Sequence, residues 1–326
     1  LPELSFAQAV NAALAEELRR DESVFVVGED VAEAGTPFKV LAGLVEEFGP
    51  ERVLDSPISE AGITGLGVGA AMTGMRPVVD IMFGDFLTLV MDQLANQAAK
   101  AHYMSGGRLK VPLTLRTTMG ATRRSAAQHS QSLQAWVAHV PGLKVALPAT
   151  PADAKGLLKT AIRDDNPVVV IEDKMDYAVK GEVPDDDDFT IPFGVAEVKR
   201  AGEDVTVVAT SSMVRVALAA AEQLEADGIS AEVLDPRTLS PLDERALVRS
   251  AEKTGRAIVV DEGHRRYGVT AELAAVIADG AFYSLDAPVK RLGALDVPIP
   301  FSPPLEDVTV PTAEVVAQTA RELCRK

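Results

Sequence analysis

The sequence predicts an α/β protein with two successive parallel-sheet domains. Short apolar runs of strand length alternate with amphipathic segments of helix length from residue 4 to 172, and the alternation resumes from residue 205 to 278. Runs such as Arg76-Pro77-Val78-Val79-Asp80-Ile81-Met82-Phe83 are apolar on both faces, as in a parallel strand covered on two sides. Between the two series lies Gly181 to Pro192, with four consecutive aspartates, Asp185 to Asp188, and two prolines. That composition reads as an exposed linker. It places an N-terminal domain at 1–185 and a C-terminal domain at 193–326.

Composition bounds the function. A chain of 326 residues with 47% apolar content can build one large or two ordinary cores. The formal charge of −16, from 32 basic and 48 acidic residues, argues against nucleic-acid or anionic-membrane binding over the whole surface. No apolar run reaches bilayer length, and no signal-peptide pattern opens the sequence. Cys324 is the single cysteine, which excludes an internal disulfide framework and fits a reducing, cytoplasmic setting.

Taken in order, Leu4 to Arg20 has helical period, with Phe6, Val10, Ala13, Leu14 and Leu18 on one face and Ser5 as N-cap. Ser23 to Val27 is a short strand ending in the loop Gly28-Glu29-Asp30. Open α/β sheets bind ligands at the carboxyl ends of their strands. Leu41 to Phe48 reads as a helix stopped by Gly49-Pro50. Phe86 to Lys100 reads as another, Lys110 to Arg116 as a strand, and His129 to Trp136 as the opening of a helix. Gly142 to Leu147 is a strand, Thr150-Pro151 caps a helix running to about Arg163, and Pro167 to Glu172 is a further strand. In the second half, strands at 205–209, 231–234 and 257–260 alternate with helices at 213–226, 243–254 and 270–278. The tail DVPIPFSPPLE is proline-rich and reads as an extended arm, before a last helix from Ala313 to Leu323.

One stretch organises the rest: Asp55 to Ala71, DSPISEAGITGLGVGAA. Pro57 closes a strand end, since the residue before a proline is driven to extended geometry. A helix then begins at Glu60 and carries Gly62, Gly65, Gly67 and Gly69. Each glycine costs a helix about 1 kcal/mol relative to alanine, so their use is close approach of another backbone or a ligand. Spacing alone leaves Glu60 open between an acid that caps the helix dipole and a working acid/base group. A second stretch, His102 to His129, gathers Arg108, Lys110, Arg116, Arg123 and Arg124 with Gly106, Gly107 and Gly120. It reads either as a solvated loop or as a local field for an anionic ligand or acidic partner. GxGxxG after a strand, GxxxxGK[ST], GxSxG and HExxH are all absent, and the four histidines lack metal-ligand spacing.

Four blocks carry a family resemblance: GEDV (28–31), DSPISEAGITGLGVGAAMTGMRPVVDIMFGDF (55–86), AAQHSQSLQAWVAHVPGLKVALPATPADAKGLLKTAIRDDNPVVVIEDK (126–174) and LDPRTLSPLD (234–243). The sequence resembles, over nearly its whole length, the beta subunit of the thiamine-diphosphate-dependent first component of 2-oxo acid dehydrogenase complexes. Pyruvate, branched-chain and acetoin enzymes make up that group. The resemblance implies a transketolase-like fold, with a pyrimidine-binding domain and a C-terminal domain that supports assembly. Glu60 matches the glutamate that hydrogen-bonds the aminopyrimidine and promotes its imino form, which is acid–base catalysis passed through the cofactor. Phe86 matches the aromatic packed on that ring, and Glu29 and Ile58 fall in blocks lining the same pocket. His129 matches the active-site histidine that donates a proton and stabilises an oxyanion as the acyl group passes to lipoyl-lysine. Leu113, Ala161, Ile162, Asp164 and Asn166 match positions that hold a structural potassium ion.

The resemblance also implies partners. No GDG followed by asparagines is present to hold magnesium and the diphosphate, so the chain resembles half an active site. An alpha subunit in an α2β2 heterotetramer would supply the magnesium ligands, with Gly62, Gly65 and Gly69 at a subunit interface and a lipoyl-bearing acyltransferase core as the larger partner. Arg123 and Arg124 are candidates for contact with the substrate carboxylate or the lipoyl domain. The C-terminal blocks are slightly nearer to acetoin- and pyruvate-type members. The alternatives are a self-sufficient transketolase-type enzyme and a non-catalytic assembly subunit.

Overall fold

The computed structural model describes residues 1–325. The described residues divide into two compact units, one of residues 1–119 and 136–193, the other of residues 120–135 and 194–325.

The first unit opens with β1 (Glu3–Ser5) and α1 (Phe6–Arg20). Ser5 accepts from the Gln8 backbone N–H while the Gln8 side chain accepts from the Ser5 N–H, a complete capping box, and Arg19 and Arg20 close the helix at its negative end. Next come β2 (Val24–Gly28), α2 (Leu44–Phe48), β3 (Val53–Asp55), α3 (Glu60–Met72) and β4 (Arg76–Ile81). A continuous helical run follows. It starts with a 3-10 turn at Gly84–Phe86, continues as α4 (Leu87–Met91), widens to a π-helix over Asp92–Ala98 and ends as α5 (Ala99–Met104). Then come β5 (Thr114–Met119), α6 (Gln134–Ala138), β6 (Lys144–Ala146), α7 (Pro151–Arg163), β7 (Val168–Asp173) and β8 (Lys180–Glu182).

Six of these strands form one parallel sheet in the order β6-β7-β5-β4-β2-β3. The chain runs from β2 outward to β3, then returns across β2 to β4, so the strand order reverses beside β2. The core under the sheet joins Phe6, Val10, Leu14 and Leu18 of α1 to Leu157, Leu158 and Ile162 of α7 and to Val24, Val26 and Val168 of the strands. Buried Lys159 reaches that helix pair without leaving a bare charge, because its ammonium donates to Glu16 Oε2 at 2.5 Å.

The second unit contains β9 (Glu197–Arg200), β10 (Val205–Ala209), α8 (Met213–Glu225), β11 (Ala231–Asp235) and β12 (Thr238–Ser240). It continues with α9 (Glu244–Thr254), β13 (Ala257–His264), α10 (Val269–Gly280), β14 (Lys290–Ala294), α11 (Pro303–Glu306) and α12 (Ala313–Cys324). Its sheet runs β14-β13-β10-β11-β9, parallel except for the β9 edge, which pairs antiparallel with β11. That edge departs from the all-parallel sheet the sequence predicts.

Other departures have local causes. The helix expected over Leu41–Phe48 begins at Leu44, because Gly43 takes a left-handed φ of 88°. The strand expected at Lys110–Arg116 lies at Thr114–Met119, set by pairing with β7 rather than by its first apolar residues. The helix expected from His129 begins only at Gln134. The acidic linker is exposed at Asp185–Asp188 as predicted, but Phe189 and Ile191 beside it pack against Gly156 of α7. The arm at the C-terminal end is not wholly extended, since Pro303–Glu306 forms a turn of helix with Glu306 fully buried. No helix among the described residues is long and apolar enough to cross a membrane.

Candidate active site

In the first unit, Glu29, Glu60 and Phe86 all follow the carboxyl ends of neighbouring parallel strands. Glu29 follows β2, Glu60 opens α3 after β3, and Phe86 closes the 3-10 turn after β4. Strand-order reversal beside β2 makes this edge the place where an open α/β sheet leaves a crevice. Two ties shape it. The Asp55 carboxylate accepts from the Ala32 N–H at 2.7 Å, fastening the loop after β2, and the Ser56 N–H donates to the Gly28 carbonyl at 2.9 Å. Gly28 is required here, because a Cβ would meet the Asp80 carbonyl at 2.8 Å.

Glu60 is half-buried, and its side chain stands in the first turn of α3, where Ser59 makes no capping bond. Burial, then the charges of Asp30 and Glu60, push the Glu29 carboxyl above its ordinary pKa. The two glutamates therefore feel one another across the crevice. The Phe86 ring stands edge-to-face on Phe83, with centroids 5.8 Å apart, and Phe83 continues the row to Phe38 at 5.8 Å. The buried Lys174 ammonium lies 5.3 Å from the Phe83 ring centroid, a cation–π contact that fixes the middle of the row. Ile58 lies on the same segment as Glu60 but is 74% exposed in the chain by itself.

Beneath this edge the strands carry a buried ionic cluster. Arg116 of β5 donates to both oxygens of Glu172 on β7 at 3.0 and 2.6 Å, and also pairs with Asp80 on β4. The Tyr177 hydroxyl donates to Glu172 at 2.8 Å. Burial pushes the Asp80 carboxyl up, opposed by the Arg116 charge, while the acids hold Arg116 firmly protonated. Arg116 was read from sequence as part of the basic stretch, but it is buried and neutralised here, and its partners Asp80, Glu172 and Tyr177 were not singled out. The available signal was a charge inside each of three runs of strand length, Asp80 in RPVVDI, Arg116 in TLRTTM and Glu172 in VVVIED.

Of the oxygens matched to a potassium site, the Ile162 and Asp164 carbonyls accept from Arg76 at 3.1 and 3.0 Å. The Leu113 carbonyl accepts from the Val168 N–H, and the Ala161 carbonyl from the Asp164 N–H. Asn166 donates to Asp164 Oδ1 through its backbone and its side-chain amide, and the Asp164 carboxylate pairs with Lys144. The five residues thus sit around one turn between α7 and β7 and the start of β5. Each carbonyl keeps a second lone pair for a hard cation.

His129 belongs to the second unit, on a strap formed by residues 120–135. It is half-buried in a turn, its N–H donating to the Ala126 carbonyl at 3.3 Å. The strap is tied down by carboxylates of its own unit. The Ala121 N–H donates to buried Glu262 at 2.7 Å, and the Gln134 amide donates to both oxygens of buried Asp261 at 2.8 and 2.9 Å. Arg124 donates to Glu306 at 2.7 Å and pairs with Asp307 at 2.7 Å. Arg124 is therefore not a bare anion receptor, a correction to the basic field read from the sequence.

The comparisons agree with this geometry. The transketolase pyrimidine-binding domain matches residues 2–180 and the transketolase C-terminal domain matches residues 194–316. The chain is 50% identical to the acetoin:2,6-dichlorophenolindophenol oxidoreductase subunit beta of Bacillus subtilis, over 98% of this chain and 97% of that one. It is 46% identical to the pyruvate dehydrogenase E1 component subunit beta of Rhizobium meliloti, over 99% of this chain and 70% of that one. It is 45% identical to the 2-oxoisovalerate dehydrogenase subunit beta of Bacillus subtilis, over 98% of each chain. Among solved structures it resembles a split-gene transketolase in an inactive beta4 tetramer, with a TM-score of 0.80, 25% identity and 98% of each chain covered. Sheet, crevice and similarity converge, and the chain belongs to the family of beta subunits of the E1 component of 2-oxo acid dehydrogenase complexes, which is built on the two transketolase domains.

Proposed function

We propose that this beta subunit supplies the pyrimidine side of a thiamine-diphosphate site and works with an alpha subunit that supplies magnesium and the diphosphate ligands. The substrate is a small 2-oxo acid or acetoin, and the acyl group passes to lipoyl-lysine of an acyltransferase core in a complex with α2β2 first components. One observation carries the reading: Glu60, Glu29 and Phe86 converge at the carboxyl edge of β3, β2 and β4, beside the strand-order reversal.

Bound there, between Glu60 and Phe86, thiamine diphosphate would supply a nucleophilic carbon and an electron sink for decarboxylation. The residues present suit its pyrimidine. Phe86, held edge-on by Phe83, offers an apolar face to a flat ring. Glu60 offers a carboxyl that can share a proton with a ring nitrogen, in a half-buried position where such a bond is stronger than in water. Glu29, its pKa raised by burial and by the charges of Asp30 and Glu60, sets a second carboxyl close enough to Glu60 to be felt by it. His129 holds a proton for the acyl acceptor and faces developing oxyanion charge. Oxygens of Leu113, Ala161, Ile162, Asp164 and Asn166 would hold potassium, which would brace the turn between α7 and β7.

The test is Glu60→Gln in the assembled enzyme, assayed by substrate-dependent reduction of an artificial electron acceptor. Loss of general acid–base help predicts a fall in kcat of about 10²–10⁴-fold, with assembly unchanged by size-exclusion chromatography. Turnover at the wild-type rate in the Glu60→Gln enzyme would remove the proton role.

A further inference from the structure

The strap that carries His129 has a shape its own sequence does not choose. Thr122, Arg124 and Ala126 take left-handed φ values of 64°, 59° and 61°, alternating within five residues. Non-glycine residues rarely adopt this conformation even singly, and such strain persists only where the surroundings impose it. The imposing contacts lie within the second unit. At the ends of the strap, Glu262 takes the Ala121 N–H and Asp261 takes the Gln134 amide. Between them, at the strained middle, Glu306 Oε2 takes both the Arg124 backbone N–H at 3.2 Å and its guanidinium at 2.7 Å.

Glu306 is fully buried, and its other oxygen, Oε1, has no donor among the described residues. Arg124 is thus the compensation its side chain receives. A buried charge with a single partner holds that partner firmly, because release would leave the charge bare. The hold is two-pronged, so it fixes backbone as well as side chain. His129 lies five residues further on, with its N–H closed onto the Ala126 carbonyl of the same strained stretch.

We infer that Glu306 of α11 is a positioning residue: through Arg124 it latches the strap and sets His129 for acyl transfer. The proline-rich tail segment Pro303–Glu306 thereby takes part in the reaction without touching substrate. The inference rests on the transfer role proposed for His129, and the experiment separates the two. Glu306→Ala is made in the assembled α–β enzyme. Transfer to a free lipoyl domain is followed beside the acceptor-coupled half-reaction, and limited trypsinolysis monitors the bonds after Arg123 and Arg124. Trypsin reads strap release independently of activity.

The expected result is faster cleavage at those two bonds together with a loss of lipoyl transfer on the order of 10²-fold, the effect of a small misplacement of a reacting group. The acceptor-coupled reaction should fall far less. Glu306→Gln keeps the volume and an acceptor for the Arg124 N–H, replaces the alanine variant should that one fail to fold, and should give a smaller effect of the same kind. Unchanged cleavage in both variants would overturn the latch. Faster cleavage with normal transfer would overturn the positioning role, and His129→Ala then locates the error. Transfer lost in His129→Ala leaves the histidine's role standing, whereas transfer retained removes it.

Discussion

Glu29 shows how a single side chain registers the crevice. Its carboxyl is held above its usual pKa by burial first, and then by the charges of Asp30 and Glu60. A carboxyl with a raised folded-state pKa contributes stability that is fully present below its unfolded value. That contribution is lost as pH rises through the folded one. At neutral pH the ionised Glu29 therefore weighs against the fold. Glu29→Gln mimics the protonated form and should raise the melting temperature at neutral pH. The gain should vanish at about pH 4, near the ordinary glutamate value, where the wild-type side chain is itself substantially protonated. Thermal unfolding at the two pH values checks this, and an equal gain at both would mean that packing rather than charge is responsible. At this scale the sequence was informative where a motif was long. That Glu29, Glu60 and Phe86 follow successive strand ends could be read because contiguous blocks carry them. The strap anchors Asp261, Glu262 and Glu306 could not be read, because each lies more than 120 residues from the group it holds, as Ala121 to Glu262 shows with a separation of 141.

Elements were readable where local preference and tertiary pairing agree. The Ser5 N-cap and the Thr150 N-cap with Pro151 behind it stand where the sequence puts them, and the helix expected at 243–254 begins one residue later, capped by Asp243. The failures occur where long-range pairing decides. Strand β5 starts at Thr114 because β4 and β7 flank it from there. The strap before α6 stays irregular because distant carboxylates hold its N–H groups, and no local pattern reports that. The Arg116 cluster joins β4, β5 and β7 just below the crevice, and makes the edge a rigid floor. Arg116→Met leaves Asp80 and Glu172 buried without their cation, and should cost about 3–5 kcal/mol. Adding Asp80→Asn and Glu172→Gln should recover much of that loss. Denaturant unfolding of the three proteins decides the matter. A loss from Arg116→Met within the roughly 0.5 kcal/mol typical of surface sites would show that the cluster does not hold the strands together.

For the whole molecule, the glycines of α3 separate what the chain needs to fold from what it needs to assemble. A Cβ on Gly67 would meet Val79 at 2.4 Å, so that glycine lets α3 lie against its own sheet. A Cβ on Gly69 would meet nothing within 4 Å, and one on Gly65 would meet only Gln93 at 3.8 Å. Leu66 between them is 50% exposed. The fold gains nothing from glycine at 69, where helix propensity favours alanine by about 1 kcal/mol. We propose that the close approach expected of that glycine is to something outside this chain. The proposed alpha subunit is the candidate, since Glu60 opens the same helix and its site is completed from that side in the proposed function. Gly69→Ala should accordingly raise the unfolding temperature of the isolated beta chain while weakening its association with the alpha subunit in a calorimetric titration. The two effects have opposite sign, so a global change in fold quality cannot mimic them. A variant that is stabilised alone and binds the alpha subunit as well as wild type would place the interface on another face and leave Gly69 without a role.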